Sequence, residues 1–178
     1  MERQARREFL RNASGFGLGV YFIRPGVLGA PGKVGPNDKV GIGLIGCGGM
    51  GRVNAKNCSK HPAAVITALC DVWGERLNQT LAQYKKTAKG YHDYRDLLSD
   101  KNVDAVIIAT PPHWHTLQAI HACEAKKDIY LQKPMTLYLA ESIALCKAVE
   151  KHDRVSVSYT HLRAHETRHD LVCRLLLE

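Results

Sequence analysis

The chain has 178 residues and a formal net charge of +8, from 25 basic and 17 acidic residues. Within residues 39–156 the positive charge is scattered, without the basic runs and interleaved aromatic residues of nucleic-acid surfaces, so no nucleic-acid partner is predicted. None of the six cysteines forms a C-x-x-C pair, which argues against a zinc site.

Residues 1–38 have the features of an export leader followed by a linker. Arg6 and Arg7 precede a glycine-rich, mildly apolar segment over residues 13–23, and this pattern resembles a twin-arginine export signal. The segment is too short to span a bilayer, which takes about 20 apolar residues, so no stable membrane anchor is expected. The leader predicts a periplasmic or secreted protein, or a cytoplasmic one if it does not function. A disordered basic N-terminus is the alternative.

Residues 40–52 predict a buried strand that runs directly into a glycine turn. The turn fits the G-x-G-x-x-G fingerprint, in which the first glycine makes the tight turn, the second admits a diphosphate and the third lets helix pack on strand. A helix that begins there directs its unpaired N–H groups and positive dipole end at the diphosphate. The cofactor contacts predicted from this segment are Gly46, Gly48, Gly49, Met50 and Gly51.

A second predicted strand, residues 64–70, follows a helix over residues 50–60 and ends at Asp71. A carboxylate in that place accepts both hydroxyls of the adenosine ribose and repels a 2′-phosphate, which favours NAD over NADP. Arg76 is the opposing argument, because a nearby cation suits the 2′-phosphate. The alternative role for Asp71 is simply to cap the following helix.

The remaining segments alternate between predicted helices and strands. Their apolar runs suit a parallel sheet that is covered on both faces, and the sequence predicts a doubly wound Rossmann sheet of the α/β class, with strand order 3-2-1-4-5 and an incomplete sixth strand. The last helix is assigned an apolar stripe of Leu139, Ile143, Cys146 and Val149. The predicted helices after the second strand cover 74–85, 93–98, 116–126 and a segment from 139, and the predicted strands cover 90–91, 103–109, 129–131 and 154–156.

The segment after the fourth strand contains Thr110, Pro111, His113 and His115. It lies at the carboxyl end of a strand, where ligands of doubly wound sheets bind. The two histidines lack a third ligand of suitable spacing, so no metal site is predicted. His115 fits either a polar surface residue or a cofactor contact.

Gln132, Lys133 and Pro134 follow the fifth strand at the same predicted edge. Lys133 is the only ionisable side chain in that position. We therefore expect its ammonium to project toward the nicotinamide end of the cleft.

Residues 40–155 resemble the N-terminal half of the Gfo/Idh/MocA oxidoreductases through these motifs, taken in order. Members of that family carry glutamate where Gln132 stands, so a negative charge beside Lys133 is missing here. The resemblance implies hydride transfer between a sugar or polyol and NAD, with Lys133 as the catalytic residue that polarises the reacting hydroxyl. It also implies cofactor contacts at Thr110, Pro111, His115, Gln132 and Lys133.

Residues 157–178 resemble the translation of sequencing-library adapter DNA, because residues 157–167 and 171–178 follow its reading on either side of a short index. We expect this tail to be non-native and the sequence to be truncated before a C-terminal α+β substrate domain. The intact protein is expected to be a homo-oligomer, and the truncated chain to be inactive alone. The alternatives to a dehydrogenase are an NAD-dependent glycoside hydrolase of the same family and a non-catalytic nucleotide-binding fragment.

Overall fold

The computed structural model describes residues 38–158. The proposed leader, most of the linker and the adapter-like tail from residue 159 onward lie outside the described residues. The twin-arginine signal and the origin of the tail therefore stay predictions.

A six-stranded sheet forms the centre of the described domain, and its order is β3-β2-β1-β4-β5-β6. Every neighbouring pair of strands is parallel, and the predicted order and parallel pairing are confirmed. The strands are β1 (Val40–Ile45), β2 (Ala64–Cys70), β3 (Lys89–Tyr91), β4 (Ala105–Ile108), β5 (Asp128–Leu131) and β6 (Ser156–Val157).

Helices connect these strands and cover both faces of the sheet. None of the helices within residues 38–158 is long and apolar enough to cross a membrane. The helices are α1 (Gly49–Cys58), α2 (Gly74–Leu81), α3 (Tyr94–Leu98), α4 (Pro112–Glu124) and α5 (Leu139–His152).

The core has two apolar layers, one on each face of the sheet, and the side chains of β1 point alternately into one and the other. Leu44 packs in the layer that contains Ala55 of α1 and Leu77 of α2. Ile45 points the other way, into the layer that contains Ala119 of α4 and Leu145 of α5. Successive side chains of a strand point to opposite faces, so an almost continuous apolar strand is buried on both sides.

Helix α4 begins four residues earlier than the predicted start at residue 116. Pro112 occupies its first turn and Pro111 its N-cap. Proline is tolerated at the first position of a helix because its missing N–H would have no partner there. The two prolines therefore start a helix instead of extending a loop, and His113, Trp114 and His115 lie in its first turn.

Three of the four residues in the apolar stripe predicted for α5 were wrong. Leu145 and Ala148 are the buried residues of this helix, whereas Leu139, Ile143 and Cys146 are exposed. Val149, the fourth residue of the stripe, is partly buried and packs on the core. The side chains that face α4 decide the buried side, and helical spacing alone does not identify them. The sixth strand also begins later than predicted, at Ser156, and Val157 pairs with Tyr130 of β5.

Candidate nucleotide-binding site

A cleft of about 480 Å³ opens at the carboxyl edge of the sheet. The chain leaves β1 on one side toward β2 and returns on the other side through β4, which makes this the switch point of the sheet. Ligands of doubly wound sheets bind at such points, and the volume lies within the range of small-molecule sites. The predicted residues that line the cleft are Gly46, Gly48, Asp71, Thr110 and Pro111.

Two glycines of the turn are required by the fold itself. Gly46 has a φ of +95°, and a Cβ there would lie 2.7 Å from the carbonyl oxygen of Ala109. A Cβ on Gly51 would overlap the carbonyl oxygen of Gly46. Both obstacles are backbone atoms, so neither can move aside without disturbing the junction of β1, α1 and β4.

Gly48 and Gly49 lie in more open surroundings than Gly46 and Gly51. Gly48 has an ordinary φ of −69°, and among residues 38–158 a Cβ there would meet only Nη1 of Arg76, at 3.9 Å. A Cβ on Gly49 would meet no atom of this part of the chain within 4 Å. The protein itself therefore does not require glycine at these two positions, and the open space over them is available to a ligand.

The start of α1 faces the same open space. Gly48 is the N-cap, and no side chain caps the helix. The first N–H groups of a helix have no partner within the helix, and together with the helix dipole they favour an anion. The start of α1 is uncapped, and the space over it is one that a Cβ on Gly48 would fill. Both features fit the diphosphate of a dinucleotide.

Asp71 connects the end of β2 to the glycine turn. Its side chain is 7% exposed. One carboxylate oxygen accepts the Cys47 N–H at 2.8 Å, and the other accepts the Trp73 N–H at 2.9 Å, at the N-cap of α2. A carboxylate has about four acceptor positions, so two remain for a ligand. Asp71 thus holds the backbone just before α2 but does not cap that helix, whose N-cap is Trp73 and which has no side-chain cap, so the capping alternative was wrong.

Two buried thiols lie behind the turn. The Cys47 thiol points at the carbonyl oxygen of Cys70, with a sulfur–oxygen distance of 3.6 Å. Burial, assisted by the charge of Asp71, raises the pKa of Cys47 to about 11. Burial also raises the pKa of Cys70 to about 12, with smaller contributions from Cys47 and Asp71. Thiolate is the reactive form, so both cysteines are inert at neutral pH.

Alkylation should therefore distinguish these thiols from exposed Cys146. Treatment of the native chain with iodoacetamide near pH 8 should modify Cys146 and leave Cys47 and Cys70 protected, because they are buried and almost entirely protonated. Peptide mass spectrometry measures the extent of reaction at each site. A urea-unfolded sample, in which all three thiols should react, is the control. Rapid native labelling of Cys47 would show that the turn is open.

The outer wall of the cleft was not predicted from the sequence. It comes from the junction of β3 and α3 and comprises His92, Asp93, Tyr94 and Arg95. Asp93 caps α3 and pairs with Arg95 at 2.9 Å. The predicted strand order could have revealed this wall. It places β3 next to β2, and therefore places the residues after β3 beside those after β2.

Lys133 and Gln132 lie beyond the residues that line the cleft. The Lys133 side chain is exposed, and its backbone N–H donates to Oε1 of Gln132 at 2.8 Å. Gln132 is only 6% exposed, and its Nε2 has no hydrogen-bond partner among the described residues. A buried amide donor of this kind suits an acceptor oxygen on a ligand or a water.

His115 is not a surface residue, so that alternative was wrong. It is 1% exposed, and its ring nitrogens each lie 2.8 Å from a backbone carbonyl oxygen. The Nδ1 contact is to Pro134 and the Nε2 contact is to Thr110. His115 thus links the loop after β4 to the loop after β5, immediately behind Lys133.

About half of the predicted site residues line the cleft. No group of three or more His, Cys, Asp or Glu residues suited to a metal ion occurs within residues 38–158. Direct cofactor contact stays a prediction for all of the predicted residues, and six of them do not line the cleft. These residues are Gly49, Met50, Gly51, His115, Gln132 and Lys133.

The fold and the cleft together define a nucleotide-binding domain of the Rossmann class. Comparison with known proteins identifies the family, because residues 40–161 match the model of the Gfo/Idh/MocA oxidoreductase family with an NAD-binding Rossmann fold. The chain belongs to that family.

Three relatives illustrate the similarity. The myo-inositol 2-dehydrogenase of Thermotoga maritima is 32% identical over 63% of this chain and 33% of its own length. A glycosyl hydrolase family 109 protein of Solibacter usitatus is 30% identical over 86% of this chain and 38% of its own length. The Bordetella pertussis WlbA dehydrogenase, solved with NADH and UDP-GlcNAcA, has a TM-score of 0.64 and 27% identity over 68% of this chain and 35% of its own.

The chain spans about a third of the length of these relatives. The part that matches the family model is residues 40–161, which therefore contain the NAD-binding domain of this oxidoreductase family.

Proposed function

We propose that the cleft binds NAD in preference to NADP, and that the intact protein transfers hydride between a sugar or polyol and this cofactor. The observation that carries the proposal is the open space over Gly48, bounded by the uncapped start of α1 and by Asp71. A diphosphate needs close approach to backbone N–H groups, and a ribose needs a carboxylate beside it. Both requirements are met within one cleft.

The preference for NAD rests on the environment of Asp71. Two backbone N–H groups hold its carboxylate in place at the cleft. An ionised carboxylate with two acceptor positions left can bind the ribose hydroxyls. It would repel a 2′-phosphate in the same place.

The proposed chemistry assigns Lys133 to the reacting hydroxyl. When bound, a nicotinamide cofactor supplies the hydride acceptor or donor. The exposed ammonium of Lys133 makes no ion pair among the described residues, so it is available to a substrate. It would stabilise the negative charge that develops on the substrate oxygen as the proton leaves. The inositol and UDP-sugar relatives support a sugar or polyol substrate.

An NAD-dependent glycoside hydrolase is the second candidate. The Solibacter relative supports it, because that similarity extends over 86% of this chain. Such an enzyme would oxidise and re-reduce its substrate on one bound NAD, so it would show no net turnover of cofactor. Assaying the intact protein for NADH formation and for glycoside cleavage separates the two activities.

We further propose export by the twin-arginine pathway and a homo-oligomeric intact protein. Arg6 and Arg7 support the first proposal. Replacing both with lysine in the intact protein should retain it in the cytoplasm, as measured by cell fractionation. The mass of the purified protein from light scattering tests the second proposal.

The cofactor assignment is tested with Asp71→Ala in the 178-residue chain. NAD affinity should fall by about tenfold or more, the scale of losing a hydrogen bond to a charged group, while NADP affinity falls less. Isothermal titration of both cofactors measures the change in their ratio. The unfolding midpoint must be measured alongside, because Asp71 also holds the Cys47 and Trp73 N–H groups. Equal affinity of the unmutated chain for NAD and NADP would contradict the assignment.

A further inference from the structure

Two arginines line the cleft, and only one of them is neutralised. Arg95 pairs with Asp93, donating from both Nε and Nη2. Arg76 forms no ion pair with any carboxylate among the described residues. A guanidinium carries five N–H donors, so Arg76 brings an uncompensated charge and free donors to the cleft.

The guanidinium of Arg76 lies over an aromatic ring. Its guanidinium carbon lies 4.7 Å from the centre of the Trp73 ring. Trp73 is 55% exposed, so it forms a platform at the surface beside the cleft. Arginine stacks on aromatic faces while its donors stay available in the plane of the guanidinium. The stack therefore reduces the conformational freedom that ligand binding would otherwise remove.

The stacked guanidinium lies beside the glycine turn. Its Nη1 lies 3.9 Å from the position that a Cβ on Gly48 would take, and apart from the neighbouring backbone no other atom of residues 38–158 lies within 4 Å of that position. That position belongs to the open space over the start of α1. The side chain of Arg76 and the N–H groups of the turn thus border the same space.

We propose that Arg76 is a specificity-determining residue that donates hydrogen bonds to the diphosphate of the cofactor. This rests on the proposed nucleotide site. The planar guanidinium matches the geometry of phosphate oxygens, and charge-assisted hydrogen bonds of this kind are strong. Arg76 would thereby select dinucleotides and ADP-ribose over ligands without a diphosphate.

The proposal differs from a role in binding a 2′-phosphate. A 2′-phosphate would lie against the ribose and therefore against Asp71, whose two oxygens already face the turn and the start of α2. The contact of Arg76 with the space over Gly48 places it at the diphosphate instead. On this assignment, loss of Arg76 weakens NAD and NADP by the same factor.

The test compares ligands that contain and lack the diphosphate, in the 178-residue chain. Arg76→Met should weaken ADP-ribose and NAD by about tenfold or more, the scale of a charge-assisted hydrogen bond, and leave adenosine unchanged. Arg76→Lys keeps the positive charge but loses the planar set of guanidinium N–H donors, and it should give an intermediate affinity. Lys86→Met is the matched control: it removes one positive charge from an exposed residue beyond the far end of α2, and it should have no effect. Titration calorimetry measures the affinities, and ³¹P NMR of bound ADP-ribose should show changed phosphate shifts in both Arg76 variants.

Each other outcome overturns the proposal in a distinguishable way. Unchanged ADP-ribose affinity in Arg76→Met, with the unmutated chain binding normally, overturns the role of Arg76 alone. An equal loss for adenosine, with unaltered phosphate shifts, assigns Arg76 to the adenine. A loss confined to NADP assigns it to the 2′-phosphate. No binding of NAD or ADP-ribose by the folded, unmutated chain overturns the nucleotide site together with this inference. Should Arg76→Met not fold, as judged by its unfolding midpoint, Arg76→Lys decides the question.

Discussion

Gly48→Ala should weaken NAD binding by about 100-fold, or ~2.7 kcal/mol, while the domain stays folded. The added methyl would occupy the space over the start of α1, where the diphosphate has to approach the backbone. Forcing a methyl into occupied space costs up to about 3 kcal/mol. Among the described residues the methyl would meet only the Nη1 of Arg76, at 3.9 Å, and the φ of −69° is ordinary for alanine. Stability should therefore change by less than about 1 kcal/mol, the typical effect at an N-cap.

Gly51→Ala provides the matched contrast in the same turn. Its methyl would overlap the Gly46 carbonyl oxygen, which is a backbone atom and cannot move aside cheaply. We expect a loss of about 3 kcal/mol or more out of a total stability of about 5–15 kcal/mol. Urea unfolding and NAD titration on both variants measure the two effects. Normal NAD affinity in a folded Gly48→Ala variant would contradict the diphosphate assignment.

The order of the sheet was predictable from the sequence because it depends on local and general rules. Apolar runs bounded by turns mark β1, β2, β4 and β5, and right-handed crossovers leave few ways to arrange parallel strands. The glycine turn was also predictable. Gly46 and Gly51 are required by backbone contacts within the turn, whereas no contact among the described residues requires glycine at Gly48, where we propose that the diphosphate does.

Features that depend on contacts between distant segments were not predictable. His115 is buried because Thr110 and Pro134 each present a carbonyl oxygen to it, and neither contact has a periodic signal. The buried side of α5 is decided by α4, so an apolar spacing of Leu139 and Ile143 gave the wrong side. The β3–α3 wall joins the cleft only because the sheet order places it beside Asp71.

The contacts of Gln132 and His115 affect the loop that carries Lys133, the proposed catalytic residue. Gln132 accepts the Lys133 N–H, and His115 contacts the carbonyl oxygen of Pro134, so the backbone on both sides of Lys133 is held by buried side chains. The Lys133 side chain itself is exposed and unpaired among the described residues. A fixed backbone with an available ammonium is the arrangement that a polarising group requires.

Lys133→Met in the intact protein should lower the turnover of the saturated enzyme by about 100-fold or more, the scale for removing a general acid or base or its equivalent. NAD affinity should be nearly unchanged, because the proposed diphosphate and ribose contacts are at Gly48 and Asp71, which line the cleft, whereas Lys133 does not line it. Cofactor titration and steady-state kinetics on the same variant separate the two effects. Lys101→Met is the control, since it removes an exposed lysine from the loop before β4, at the opposite edge of the sheet. Weakened NAD binding with near-normal saturated turnover would instead assign Lys133 to the cofactor's phosphates, and would end the catalytic assignment.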